Sequence, residues 1–148
     1  MFFLVSVWRG YIHVELLKSR TASEYLRAYS STLEFFQVHG NVWITLQRLD
    51  NETSKELDSF LRAKVDSVQY VPAHSHRANK AERAIRTFKN HFIASLCTTD
   101  ATFPLNVCDE LIPQCELTLN HLQPFALDPS FSAYEGLHRS PFDFHSHP

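Results

Sequence analysis

Two runs of β-branched and aromatic residues, 2–8 and 11–17, are separated only by Arg9-Gly10. Such runs suit the pleated, half-buried surface of a strand, and a two-residue link containing glycine reads as a tight hairpin. The chain therefore opens with antiparallel β structure, and the periodicity changes directly after it. Thr21 can cap a helix with Glu24 placed three residues later to answer it, and Tyr25, Leu26, Tyr29, Leu33 and Phe36 repeat at helical spacing. Gly40 supplies the stop. Residues 42–49 read as a strand with Asp50 at its carboxyl end. Ser54 can cap a short helix to about residue 64, with Leu57, Phe60 and Leu61 inward, and residues 67–71 form the next strand, stopped by Pro72.

After a polar stretch at 73–78, a long helix is predicted from about residue 79 to 96, burying Ile85, Phe88, Phe92 and Leu96. Another spans about 105–122, where Pro113 predicts a kink or a break. Residues 123–148 hold four prolines and a short helix at 132–137, and read as an extension to a core domain covering 1–122. The order β, β, α, β, α, β, α, α favours an α/β fold with a mixed sheet and helices on both faces. In such sheets functional residues lie outside the carboxyl ends of strands, where Asp50 falls.

A chain of 148 residues with 44% hydrophobic content can bury one core. No apolar run approaches a membrane span, and residues 2–8 lack the flanks of a secretion signal, so an intracellular protein without membrane contact is expected. Cys97, Cys108 and Cys115 are odd in number and lack CxxC spacing, which argues against a disulfide framework or zinc knuckle and for buried, inert thiols. The net charge of -2 hides an asymmetry. Residues 1–73 hold eight Lys or Arg against eight Asp or Glu, residues 74–97 five against one, and residues 98–148 one against seven. One face meeting a polyanion would explain such blocks, and a solvated helix face would explain them equally.

The chemistry centres on Asp50 and Glu82. Magnesium and similar hard cations take oxygen ligands, and two carboxylates brought together can hold them for in-line attack at a phosphodiester. Glu82 falls in the first turn of a basic helix, with Arg86 and Lys89 four and seven residues on, sharing its face. A row of acid, base, base suits a metal ligand beside cations that grip a nucleic-acid strand. Local roles are open too: an Asx turn for Asp50, favourable charge at a helix amino terminus for Glu82, and a surface pair between Glu82 and Arg86.

Three blocks carry a resemblance: Gln47-Arg48-Leu49-Asp50-Asn51-Glu52-Thr53-Ser54, then Val68-Gln69-Tyr70-Val71-Pro72, then Asn79-Lys80-Ala81-Glu82-Arg83-Ala84-Ile85-Arg86-Thr87-Phe88-Lys89. Together they resemble the catalytic core of retroelement integrases, and residues 111–120 resemble the helix that follows in retrotransposon members. The resemblance implies a ribonuclease H-like fold. It also implies an Asp, Asp, Glu triad with two magnesium or manganese ions, acting in 3′ processing and strand transfer on element ends and target DNA. Asp50 matches the second Asp and Glu82 the Glu, which makes both metal ligands. Arg86 and Lys89 match positions near the DNA end, and Arg77, Lys80 and Arg83 join them as DNA-binding candidates. Residues 72–79 match a mobile active-site loop; His74 and His76 within it read as solvent-exposed. By the same resemblance the protein would form homo-oligomers and act in the nucleus.

The departures bear on activity. The family's first Asp lies on an opening strand, central to the sheet, and this chain has no Asp before Asp50. Glu15, Glu24 and Glu34 are the only earlier acids, and none stands at a matching position. Neither a paired His and Cys pattern nor a basic carboxyl-terminal domain is present, and Cys108 stands where relatives tend to have a bulky aromatic residue. The chain thus resembles an incomplete core, a fragment of a retroelement polyprotein expected to lack catalysis, or else a domesticated nucleic-acid-binding module. Without its central strand such a core is expected to be poorly soluble or partly molten.

Overall fold

The computed structural model describes residues 1–50, 54–72 and 80–146, with Asp50 described by its backbone alone. The chain is mixed α/β, with two sheets of two strands each among the described residues. Strands β1 (Phe2–Trp8) and β2 (Tyr11–Leu17) form the expected hairpin. Its turn needs two residues in the left-handed region, supplied by Arg9 at φ 47° and Gly10 at φ 98°. Gly10 has a second constraint, because a Cβ there would lie 2.6 Å from the Pro124 carbonyl oxygen.

Two compact units divide the chain, one comprising Met1–Leu4 and Glu15–Arg83, the other Val5–Val14 and Ala84–Pro148. In the first, helix α1 (Ala22–Gly40) buries Ala28, Thr32, Phe36 and Gly40 along one stripe. Thr21 is its N-cap residue but makes no capping bond, and Glu24 instead accepts the Lys18 backbone N–H and the Arg27 guanidinium. The stop differs as well: Gly40 is the last helical residue, and Asn41, at φ 48°, takes the left-handed C-cap position. Strand β3 (Leu46–Asp50) is shorter than residues 42–49 predict, because only residues from Leu46 onward find a partner strand. Helix α2 (Lys55–Lys64) starts as read, with the Ser54 hydroxyl accepting the Leu57 N–H. It crosses over to β4 (Ser67–Val71), which runs parallel to β3 in a register that sets Leu49 opposite Tyr70 and Asp50 opposite Val71. Leu49, Leu57 and Leu61 form the buried centre here, with Leu26, Tyr29, Phe60, Val68 and Tyr70 packed around it.

Helix α3 (Lys80–Cys97) belongs to the second unit from Ala84 onward, and there buries Ala84, Phe88 and Phe92, the two rings stacked at 5.9 Å. Ile85 and Leu96, read as core residues, are only half-buried. Pro113 does end the predicted 105–122 helix. A 3-10 turn, Leu105–Leu111, gives way to a separate helix α4 (Ile112–Leu122) with the proline in its first turn, where a missing N–H removes no helical bond. Helix α5 (Ala133–His138) begins at Ser132 with a full capping box to Glu135, and packs on α4. Phe125 meets Trp8, and the Ala126 N–H bonds the Arg9 carbonyl. A Cβ on Gly136 would lie 2.2 Å from the Phe125 ring.

The single mixed sheet expected from the element order is not formed; the hairpin and the parallel pair are separate sheets. No described helix is long and apolar enough to cross a membrane. The thiols are not uniformly buried either. Cys115 is, Cys108 is partly covered, and Cys97 at the end of α3 is exposed.

Candidate nucleic-acid interface

The candidate residues cluster on α3, where burial is periodic. Ala84, Phe88 and Phe92 recur every four residues and face the core. On the other side Lys80, Glu82, Arg83, Arg86 and Lys89 are all exposed. Glu82, Arg86, Lys89 and Ile93 follow at spacings of four, three and four, so one solvent-facing stripe reads acid, base, base, apolar. Glu82 lies in the first turn, where the exposed backbone N–H groups favour a carboxylate. Four cations, Lys80, Arg83, Arg86 and Lys89, are thus exposed along one helix.

Asp50 ends β3, at the carboxyl end of the parallel pair, the position at which α/β sheets carry functional groups. Its side chain, and all of Arg77, His74 and His76, lie outside the described residues. Among the described residues no group of three or more His, Cys, Asp and Glu stands together to hold a metal ion. The described side chains therefore supply only Glu82 toward the magnesium or manganese site that the resemblance implies. Two of the earlier acids are held in local structure: Glu15 accepts the Ser31 hydroxyl at 2.7 Å, and Glu24 is shared between Lys18 and Arg27. The Arg27 guanidinium and the Lys18 N–H hold the Glu24 carboxyl below its usual range.

A buried polar network was not foreseen. In the second unit, Glu116 and Asn120 of α4 are 9% and 0% exposed. The Glu116 carboxylate accepts the Tyr11 hydroxyl at 3.3 Å and the Val14 N–H at 3.0 Å, and faces His13 Nδ1 at 3.0 Å. Burial, and then the adjacent Glu116 charge, push the Tyr11 phenol well above its usual range. Asn120 accepts the Ile12 N–H at 2.8 Å and donates to the Ile12 carbonyl at 2.8 Å, acting as a one-residue substitute for a neighbouring strand. Ile12 and Val14 alternate along β2, so these bonds occupy one edge of the hairpin. The signal was present in the sequence, since Glu116 and Asn120 share the helical stripe of Ile112, Cys115 and Leu119.

Comparison with known protein families, with curated proteins and with solved structures finds no match to this chain.

Proposed function

We propose that the chain derives from the catalytic core of a retroelement integrase, ribonuclease H-like in ancestry, and that its own activity is binding of DNA through α3. The observation that carries this reading is the exposed stripe of Glu82, Arg86 and Lys89, flanked by Lys80 and Arg83, on a helix whose opposite side is anchored by Phe88 and Phe92. A rigid helix presenting cations at one-turn spacing can contact successive phosphates without reading bases. One further feature supports the ancestry: Asp50 closes a strand in a parallel β-α-β unit that precedes α3, as the second Asp of the triad would.

Transfer chemistry needs a clamp of two metal ions on attacking and leaving oxygens. When bound, the ions would be held by Asp50 and Glu82; of the earlier acids, Glu15 accepts the Ser31 hydroxyl and Glu24 the Lys18 N–H and the Arg27 guanidinium. Binding without turnover is therefore the proposed present role, in a nuclear setting if the protein acts on chromosomal DNA. Incubating the chain with supercoiled plasmid and magnesium or manganese tests this. Retarded plasmid that stays unnicked is expected. Metal-dependent nicking lost in Glu82→Gln would replace the binding module with an enzyme, and an absence of retardation at low salt would remove the DNA reading altogether.

A further inference from the structure

The second unit encloses a cavity around α5 that the DNA reading does not use. It measures about 340 Å³, at the lower end of the ~300–1,000 Å³ span of small-molecule sites, and every residue lining it falls within 125–141. Phe125, Phe131 and Pro141 give it apolar walls. The Phe125 ring lies against Gly136, where a Cβ would come within 2.2 Å of it, so only glycine leaves room for that wall. The loop that carries both rings is closed at its neck: the Phe125 N–H donates to the Phe131 carbonyl at 2.9 Å, and the Ala133 N–H to the Gln123 carbonyl at 2.7 Å. Asp128 fixes the tip by accepting the Ser130 N–H and hydroxyl at Oδ1. The cavity is thus preformed, and Phe131, 51% exposed, is the wall that a ligand would cover.

Three charged groups in the lining define what a ligand must carry. Asp128 and Glu135 each commit one oxygen to a serine, Ser130 and Ser132 respectively, and the second oxygen of each makes no hydrogen bond among the described residues. Those serine bonds hold both carboxyls below their usual ranges, so both are ionised at neutral pH. Arg139 stands four residues after Glu135, the spacing of a helical ion pair, yet no ion pair joins them. The helix ends at His138, and Arg139 takes the left-handed C-cap position at φ 55°, which glycine adopts freely and other residues at a cost. Its guanidinium therefore lines the cavity without a partner of its own among the described residues. A ligand of one charge would be attracted by one sign and repelled by the other, whereas a ligand with both charges and an apolar body answers every group present. We propose that this cavity binds a free amino acid with an aromatic side chain, its ring against Phe125 and Phe131, its ammonium on the open oxygens of Asp128 and Glu135, and its carboxylate on Arg139. The inference is independent of the DNA reading, since none of these residues belongs to α3.

Titration of L-phenylalanine into the full chain, followed by backbone amide chemical shifts, should give saturable changes centred on residues 125–141. Phenylpropionate, which lacks the ammonium, and phenethylamine, which lacks the carboxylate, should each bind about tenfold or more weakly, because each forfeits charge-assisted bonds. Glycine, which lacks the ring, should not saturate. Arg139→Gly keeps the left-handed cap with the residue best suited to it, and should erase the preference for phenylalanine over phenethylamine. Phe131→Ser, at an exposed ring, should weaken all three ring-bearing probes alike. Shifts that do not saturate, phenylpropionate or phenethylamine bound as tightly as phenylalanine, a Phe131→Ser chain that binds phenylalanine unchanged, or an Arg139→Gly chain of unchanged circular dichroism that keeps the wild-type preference would overturn the proposal.

Discussion

Asn120→Ala is a local perturbation whose size follows from geometry. The wild-type amide sits at 0% exposure and makes three bonds, accepting the Ile12 N–H and donating to the carbonyls of Ile12 and Glu116. The Glu116 carbonyl lies within α4 and keeps its helical partner. The Ile12 N–H and C=O have no such alternative on that edge, and Ile12 is 4% exposed. Stranding a buried backbone group costs about 1–3 kcal/mol, so the pair is worth about 2–6 kcal/mol. Residue-resolved amide exchange is the appropriate assay, because it reports local opening whether or not the whole chain unfolds cooperatively. At 1.36 kcal/mol per tenfold, the lower bound makes the Ile12 amide exchange about thirtyfold faster in Asn120→Ala. Val14, held by the Glu116 carboxylate, should lose much less protection. An Ile12 amide that exchanges at its wild-type rate would show that Asn120 does not hold that edge of β2.

Three further outcomes follow. Gly136→Ala drives a Cβ into the Phe125 ring, and should destabilise the chain by about 1–3 kcal/mol in urea titration. Ser54→Ala removes the cap of α2 and should cost about 1 kcal/mol, with Ser59→Ala, on an exposed face of the same helix, as the neutral control. Acid should destabilise the fold. Glu24, Asp58 and Glu135 are all held below their usual ranges, by Arg27, by Arg62 and by the Ser132 N–H respectively. Depressed carboxyls contribute stability above their unfolded values of 3.8 for Asp and 4.5 for Glu, and lose it as pH falls through the folded ones. Thermal midpoints should therefore be flat near neutrality and drop below about pH 4.5; midpoints that rise on acidification would contradict these ion pairs and hydrogen bonds.

Local signals in the chain proved readable where a single residue type decides the geometry. Arg9-Gly10 defined the hairpin, Ser54 the start of α2, and Pro113 the break before α4. Readings that depended on partners distant in sequence fared less well. Residues 42–45 have strand propensity but no strand beside them, so only Leu46–Asp50 pairs. Thr21 and Glu24 match a capping box in spacing, yet Arg27 and Lys18 compete for the same carboxylate. The element order correctly indicated α/β structure, but sheet order is a tertiary property, and two sheets formed rather than one. At the candidate site, exposure of Lys80, Glu82, Arg83, Arg86 and Lys89 follows from the apolar period of α3 and was legible. The pairing of Glu116 with Tyr11 and His13, more than a hundred residues away, was not.

The central claim, that α3 is a phosphate-binding face, is tested most directly by the salt dependence of binding to a short DNA duplex, followed by fluorescence anisotropy. Plotting log affinity against log salt should give a linear fall, and each of Arg86→Ala and Lys89→Ala should reduce the slope by about one, with equal losses on unrelated sequences. Slopes unchanged in both variants, or binding indifferent to salt, would show that the cations of α3 are only a solvated helix face.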